Sequence, residues 1–414
     1  MRLNYKRLGD YIEPCNKKND GNVIKKLQGI SNRKYFQKAK TNTIGIDLSK
    51  YRVVRTGQFA FNRATTRNGD KISIALRRGK DCIVSPSYRI FKSKDENILN
   101  SEYLMMWFKR PDFDRYARFK SHGSAHEFFD WEEMQEVELP IPSIEKQNEI
   151  VKEYNTIVNR ITLNETLNQK LEDTAQALYK HWFVDFEFPN ADGKPYKSSG
   201  GVMAYNEELD LEVPEGWEIK QLTEISEVVD SLHKTPKYSI NGYPMVRVTD
   251  INSGFLDLSN TMVVDQEVFD DFSKKHKSSK GDIVVSRVGA TYGEFSYAHT
   301  DDKFCLGQNT AVIIPKSIDS KLVYTVLVSS NMRLQIEKLV SGSAYSTLSL
   351  KDIRELKICF PSDCRNSIIQ LSVLFLDAIF KKRSICNKEF LLLRECSELI
   401  LSKMSKLETK TVVV

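Results

Sequence analysis

Four short signatures occur twice in this chain, in the same order, and such a duplication restricts the fold because each copy must build an equivalent core. Tyr5-Lys-Arg-Leu8-Gly-Asp-Tyr-Ile12 returns as Trp217-Glu-Ile-Lys-Gln-Leu222-Thr-Glu-Ile225, an aromatic residue leading into an apolar strand or turn pattern. Gly57-Gln-Phe-Ala-Phe-Asn-Arg63 returns as Gly281-Asp-Ile-Val-Val-Ser-Arg287, an apolar strand entered from glycine and left through a polar residue and an arginine, at an offset of 224 residues. Ser121-His-Gly123-Ser124-Ala125 matches Val340-Ser-Gly342-Ser343-Ala344, and Met134 matches Ile353 at the same offset of 219. Both copies then leave a strand through proline, Leu139-Pro140-Ile-Pro142-Ser143 against Cys359-Phe360-Pro361-Ser362.

After each of these prolines the apolar period changes from that of a strand to that of a helix. Ile150, Tyr154, Ile157, Ile161, Leu171, Ala175, Leu178 and Trp182 alternate three and four apart, as a coiled-coil seam does, with Asn164 and Asn168 filling the middle. Ile379, Cys386, Phe390, Leu393, Ile400 and Met404 form a second seam, interrupted by Arg383 and Ser397. Helices of roughly 40 residues would each extend about 60 Å. An apolar seam needs a partner, and the simplest partner for each is the other. Asn190 to Gly201 is a turn-rich break.

The expected order is a first globular domain over 1–142, a long helix over 143–188, a linker over 189–209, a second domain over 210–361, a second long helix over 362–406 and a tail over 407–414. The fold class is α+β: two globular parts of mixed strands and short helices, separated by two long helices packed as an antiparallel coiled coil, with an internal pseudo-twofold repeat. A chain of 414 residues, 41% hydrophobic and 10% aromatic, has the apolar surface for two such cores.

Several chemistries lack their motifs. There is no phosphate loop of the G-x-x-x-x-G-K-[ST] form, no G-x-G-x-x-G after a strand and no H-E-x-x-H. No Pro-Pro pair exists to form the base-gripping element of an adenine methyltransferase. The seven cysteines are scattered, with no C-x-x-C, and read as reduced. His122 and His126 stand at helical spacing, but Gly123 and Ser124 between them argue for a loop and against a metal site. Asp270 with Asp271 and Asp301 with Asp302 lie in polar turns and read as surface residues. No apolar run approaches membrane-spanning length and the N-terminus lacks a secretion signal, so a cytoplasmic protein is expected. Net charge is only +6, yet Lys and Arg cluster at 33–40, 52–80 and 274–280, as phosphate contact favours and as an ordinary solvated face also allows.

With this order, Leu178-Tyr-Lys-His-Trp-Phe-Val-Asp-Phe186, Pro214-Glu-Gly-Trp217 and Lys280-Gly-Asp-Ile-Val-Val-Ser-Arg-Val-Gly289 resemble the specificity subunit of type I restriction-modification enzymes, over essentially the whole chain. The resemblance implies that each globular part is a target-recognition domain reading one half of an asymmetric, bipartite site on double-stranded DNA. It implies that the long helices hold the domains apart and dock two modification subunits. Those partners would carry S-adenosylmethionine and methyl transfer, and restriction subunits would add cleavage driven by ATP and Mg. This chain would bind no cofactor and catalyse nothing.

Candidate DNA contacts are the residues that the repeat places equivalently. Arg63, with Arg67 and Asn68, and Arg287, with Ser286 and Thr291, end the matched strands; arginine there can read guanine, contact phosphate or form a structural ion pair. Ser121, His122 and Ser124 in one Gly-Ser-Ala loop, and Ser343 and Tyr345 in the other, offer small donors, although glycine there also suits a plain turn. Lys234, Thr235 and Lys237 flank Pro236 in a loop resembling one near the start of such domains, with no clear copy in the first half. Trp182, Phe183 and Phe186 gather beside Phe188 and Pro189 as a contact for a modification subunit or as a core cap.

Overall fold

The computed structural model describes residues 5–39, 45–64, 71–121, 127–207, 210–340, 347–363 and 366–406. The chain forms two compact units, Met1–Leu163 with Glu389–Val414, and Asn164–Lys388. The division falls inside both long helices, where the sequence had suggested boundaries at their ends.

In the first unit β1 (Tyr5–Arg7), β2 (Ile12–Pro14), the hairpin β3 (Gln28–Ile30) and β4 (Phe36–Lys38), β5 (Arg52–Val54), β6 (Phe59–Asn62), β7 (Ile74–Leu76), β8 (Cys82–Val84) and β9 (Tyr88–Ser93) precede α1 (Ser101–Lys109), α2 (Pro111–Phe119), α3 (Trp131–Gln135) and β10 (Glu138–Pro140). The main sheet runs β2-β9-β6-β7 and is antiparallel. Phe59, Phe61 and Phe91 point from it into a core with Tyr103, Phe108, Phe113 and Phe129, all buried. Phe59 stacks on Phe91 at 4.9 Å. Fully burying each such ring stabilises by roughly 1.5–3 kcal/mol before chain entropy is subtracted. Asn100 caps α1 by accepting from the amides of Glu102 and Tyr103, which starts the helix where its apolar face meets the sheet.

After the long helix α4 (Ile144–Tyr179), the second unit adds β11 (Met203–Asn206), β12 (Leu211–Pro214), β13 (Trp217–Gln221), α5 (Leu222–Ile225), β14 (Ser226–Asp230), β15 (Tyr243–Val246), β16 (Gly254–Phe255), β17 (Met262–Val264), α6 (Gln266–Phe272), β18 (Ile283–Ser286), β19 (Phe295–Tyr297), β20 (Cys305–Leu306), β21 (Thr310–Pro315), α7 (Ser320–Leu327), α8 (Ser330–Val340), α9 (Leu350–Arg354), β22 (Lys357–Pro361) and the long helix α10 (Ser367–Lys403). Its main sheet, β14-β21-β18-β19-β16, repeats the first unit's order with β16 added at the edge. The expected linker is not bare: β11 pairs with β12, and Tyr196 stacks on Phe188 at 4.6 Å.

The repeat read from sequence holds at the level of hydrogen bonds. Tyr5 faces Pro140 across β1 and β10, as Ile219 faces Cys359 across β13 and β22, so the register shifts the sequence match of Tyr5 with Trp217 by two residues. The Leu8 amide donates to the Val137 carbonyl at 2.7 Å, and the Leu222 amide to Leu356 at 2.9 Å. Gly57 and Gly281, at φ 82° and 96°, both turn the chain into the matched strand with a backbone shape that a side chain would strain.

Each unit contains half of each long helix, running antiparallel. In the first, Ile150 and Tyr154 of α4 pack with Leu401, and Arg160 pairs with Glu389 through contacts of 2.7 and 3.1 Å. In the second, Ala175 and Tyr179 share a core with Ile369, Leu376 and Phe380. The inferred seam of α4 is inward along its length, with Asn164 buried and Asn168 half-buried. Arg383, which interrupts the seam of α10, is buried there by pairing with Glu172 and lying 4.7 Å over the ring of Phe255.

Candidate nucleic-acid interface

The strand-end arginines are positioned by equivalent backbone. The Arg63 carbonyl accepts from the Phe129 amide at 2.8 Å, and the Arg287 carbonyl from the Leu348 amide at 2.8 Å. An isolated bridge follows in each unit, Ala64 with Phe128 and Val288 with Thr347. These pairs reproduce the offsets of 224 and 219 read from the sequence.

Their side chains are anchored differently. Arg63 donates to Asp130 at 3.0 Å, lies 4.7 Å over the ring of Phe128 and keeps its side chain 35% exposed. Arg287 donates to Asp230 at 2.8 Å and to the Leu348 carbonyl at 3.3 Å, with its side chain 13% exposed. Arg63 therefore retains surface for a ligand, whereas Arg287 acts mainly as a strut under the loop that Asp230 begins. His233 approaches the other oxygen of the same carboxylate at 2.8 Å.

That loop, residues 231–242, carries Lys234, Thr235 and Lys237, all exposed. Lys234 pairs with Asp271 at 2.9 Å; hydrogen bonds from Lys274 and Lys234 hold the Asp271 carboxyl below its ordinary range. Sequence reasoning missed Ile240, 95% exposed on the same loop, and beside it Tyr238, 41% exposed. The first unit does have a counterpart. Leu27 bridges Ile83 in parallel, as Met245 of β15 bridges Cys305 of β20, so the segment between β2 and β3 corresponds to residues 231–242. It presents Lys17, Lys18, Lys25 and Lys26, with Val23 78% exposed. It shares no proline or threonine with its counterpart, so only strand register reveals it.

The other candidates divide. Ser286 is completely buried, sharing a 3.0 Å hydrogen bond with Thr291, whose hydroxyl also donates to the Val248 carbonyl. Both shape the turn after β18. The Ser121 hydroxyl donates to Ala117 at the end of α2. Arg67, Asn68, His122, His126, Ser124, Ser343 and Tyr345 lie outside the described residues. Trp182, Phe183 and Phe186 are buried with Phe188; Phe183, Phe186 and Phe188 lie 5.7, 5.4 and 5.3 Å from the ring of Trp217. Of the two roles open to this cluster, burial favours the core cap. Exposed apolar surface lies instead on α10: Leu374, Phe375 and Ile385 in the second unit, and Leu391, Leu392 and Leu399 in the first. It escaped the sequence reading because apolar residues on two faces of one helix blur its period.

Among the described residues, no group of three or more His, Cys, Asp or Glu is placed to hold a metal ion, and no helix is long and apolar enough to cross a membrane. Residues 6–173 and 214–388 each match the family described as the type I restriction modification DNA specificity domain. The chain belongs to this specificity family. The matched stretches of the specificity chain open at β1 and just before β13, and each ends within a long helix. The MjaIX type I restriction enzyme specificity subunit of Methanocaldococcus jannaschii is 27% identical over 308 residues, covering 73% of this chain and 68% of that protein. The HindI type I restriction enzyme specificity subunit of Haemophilus influenzae is 22% identical, covering 96% and 97%. The crystal structure of a type-I restriction-modification system S subunit from M. genitalium shares the fold at a TM-score of 0.56 and 15% identity, over 99% of both chains.

Proposed function

We propose that this chain is the DNA-sequence-specificity subunit of a type I restriction-modification complex, and that its two globular parts read the two halves of an asymmetric, bipartite site. The observation that carries the reading is the pair of register-matched loops, after β2 and after β14, that share a scaffold and differ in sequence. A common frame with different loops suits two readers of different half-sites. Phosphate contacts would set register and fewer base contacts would set sequence. Lys17, Lys18, Lys25, Lys26, Lys234 and Lys237 suit phosphate; Arg63, Thr235 and Ile240 suit base edges. Arg287, Ser286 and Thr291 would hold the second loop in place. Ser121, Arg67, Asn68, His122, Ser124, Ser343 and Tyr345 remain in the proposal as contacts from neighbouring segments.

The chain itself is proposed to be non-catalytic and cytoplasmic, in a bacterial or archaeal cell. Two modification subunits would dock on the long helices, through the exposed apolar side chains of α10, and bring S-adenosylmethionine. Restriction subunits would bring ATP and Mg. The test is co-expression with the modification subunit encoded beside it, followed by genome-wide mapping of adenine methylation. A split, asymmetric motif that changes in one half alone when residues 1–142 are exchanged is the expected result. No new methylation from a soluble, associated complex would return the chain to the class of protein-binding scaffolds.

A further inference from the structure

The tip of the β3–β4 hairpin reaches the junction of α1 and α2. There the Lys34 ammonium, its side chain only 5% exposed, pairs with Asp114 at 2.8 Å and donates to the Phe108 carbonyl. Around this junction lies a cavity of about 620 Å³, within the first unit, whose lining includes Arg33, Lys71, Lys109, Arg110 and Arg115 besides Lys34. Asp112, Asp114 and Glu398 are the lining carboxylates, so the wall carries an excess of positive charge. Lys34, Arg110 and Arg115 are paired with these aspartates. No carboxylate pairs with Arg33, Lys71 or Lys109 among the described residues.

Two further observations favour an anionic ligand. Arg110 is 5% exposed, and its Nε is buried without a hydrogen-bond partner among the described residues. Among the described residues Lys109 has only Tyr154 as a partner, with its ammonium 3.4 Å from the hydroxyl and 5.0 Å from the ring centroid. Burial, followed by the charge of Arg78, lowers Lys109 to about 8. Such a group gains from an anion that replaces its lost hydration. Arg33 and Lys71 are exposed, so a ligand can enter past them.

We propose that this cavity is a phosphate-binding site in which Lys109, Arg33 and Lys71 supply the charged donors. The cleft, about 620 Å³ and open to solvent, leaves room for a phosphate borne on a larger molecule. That molecule is either the DNA backbone or a free organic phosphate. Phosphate occupancy of this site is independent of base reading and is measured without methylation.

The test is thermal unfolding of the full chain, in complex with its modification subunit, in inorganic phosphate against chloride at equal ionic strength. Phosphate is expected to raise the melting temperature of the wild type, and R33Q/K71Q, which alters exposed residues, is expected to weaken binding at least tenfold. K109Q should do the same if it folds. Adenosine monophosphate and duplex DNA of random sequence are then titrated against bound phosphate. Displacement by DNA identifies the backbone as source, and displacement by the nucleotide alone identifies an organic phosphate; both support the site. No protection beyond chloride, or equal protection in R33Q/K71Q, overturns it. A complex that loses phosphate protection yet keeps its methylation motif would separate this site from the DNA-reading proposal.

Discussion

Phe186 adopts φ 59°, a left-handed conformation that normally selects glycine, while being 4% exposed against Trp217. It follows a single π-helical turn, Lys180–Val184, and the Glu187 amide closes back on the His181 carbonyl at 2.9 Å. Packing holds a backbone that costs on the order of 1–3 kcal/mol elsewhere. Both Phe186→Ala and Phe186→Gly should destabilise by about 3 kcal/mol through lost burial. The glycine variant should be the more stable by about 1 kcal/mol, reversing the usual order, and urea unfolding of the two variants measures it. Lys34 offers a second case. Its removal leaves Asp114 buried with, among the described residues, only the Ile72 amide as donor, at 3.2 Å. Lys34→Met should therefore cost about 3–5 kcal/mol, and K34M/D114L should recover most of that. Such anchors were not legible beforehand. The repeat located Arg63 and Arg287, but their carboxylates, Asp130 and Asp230, lie far away in sequence on non-equivalent elements.

At the scale of elements, the two long helices were the most legible part, because a period of three and four sustained over many turns has few other solutions. Their ends were less so. α4 stops being α-helical at Tyr179, where the aromatic cluster turns toward the second core, and α10 begins only at Ser367. What the seam could not show is which outer surface is used. α4 exposes one large apolar residue along its described length, Leu163, whereas α10 exposes six. Exposed apolar side chains of this number on one helix suggest a partner. Leu392→Glu with Leu399→Glu should leave helicity and melting temperature nearly unchanged, since neither side chain is in a core. The same variant should no longer co-purify with the modification subunit. Undiminished co-purification would move the docking surface off this end of α10.

For the whole molecule, the duplication was legible because hydrogen-bonded frames tolerate few substitutions at their turns, so glycine, arginine and proline recur at fixed offsets. The additions to the second copy were not. β16 and α6 lie within residues 254–272, which have little regular periodicity. The loop after β2 had no detectable kinship with its counterpart because the two are anchored by different contacts, Asn19, Ile24 and Leu27 beside Leu48, Val53 and Ile83 in one and Leu232 beside Met245 and Val264 in the other. Specificity would reside in such segments, and Ile240 sharpens the consequence. An isoleucine 95% exposed contributes almost nothing to the core, so Ile240→Ala should change stability by no more than about 0.5 kcal/mol. Its methyl groups suit the thymine methyl in the major groove or a wedge at a flexible step. The variant should alter which bases are methylated in one half-site only, with the salt dependence of binding intact. Lys237→Gln should do the reverse, weakening all sequences alike and lowering the slope of log affinity against log salt by about 0.9. Methylation mapping and salt titration of the two variants separate these roles, and an Ile240→Ala complex with unchanged affinity and unchanged motif would remove this loop from the bases.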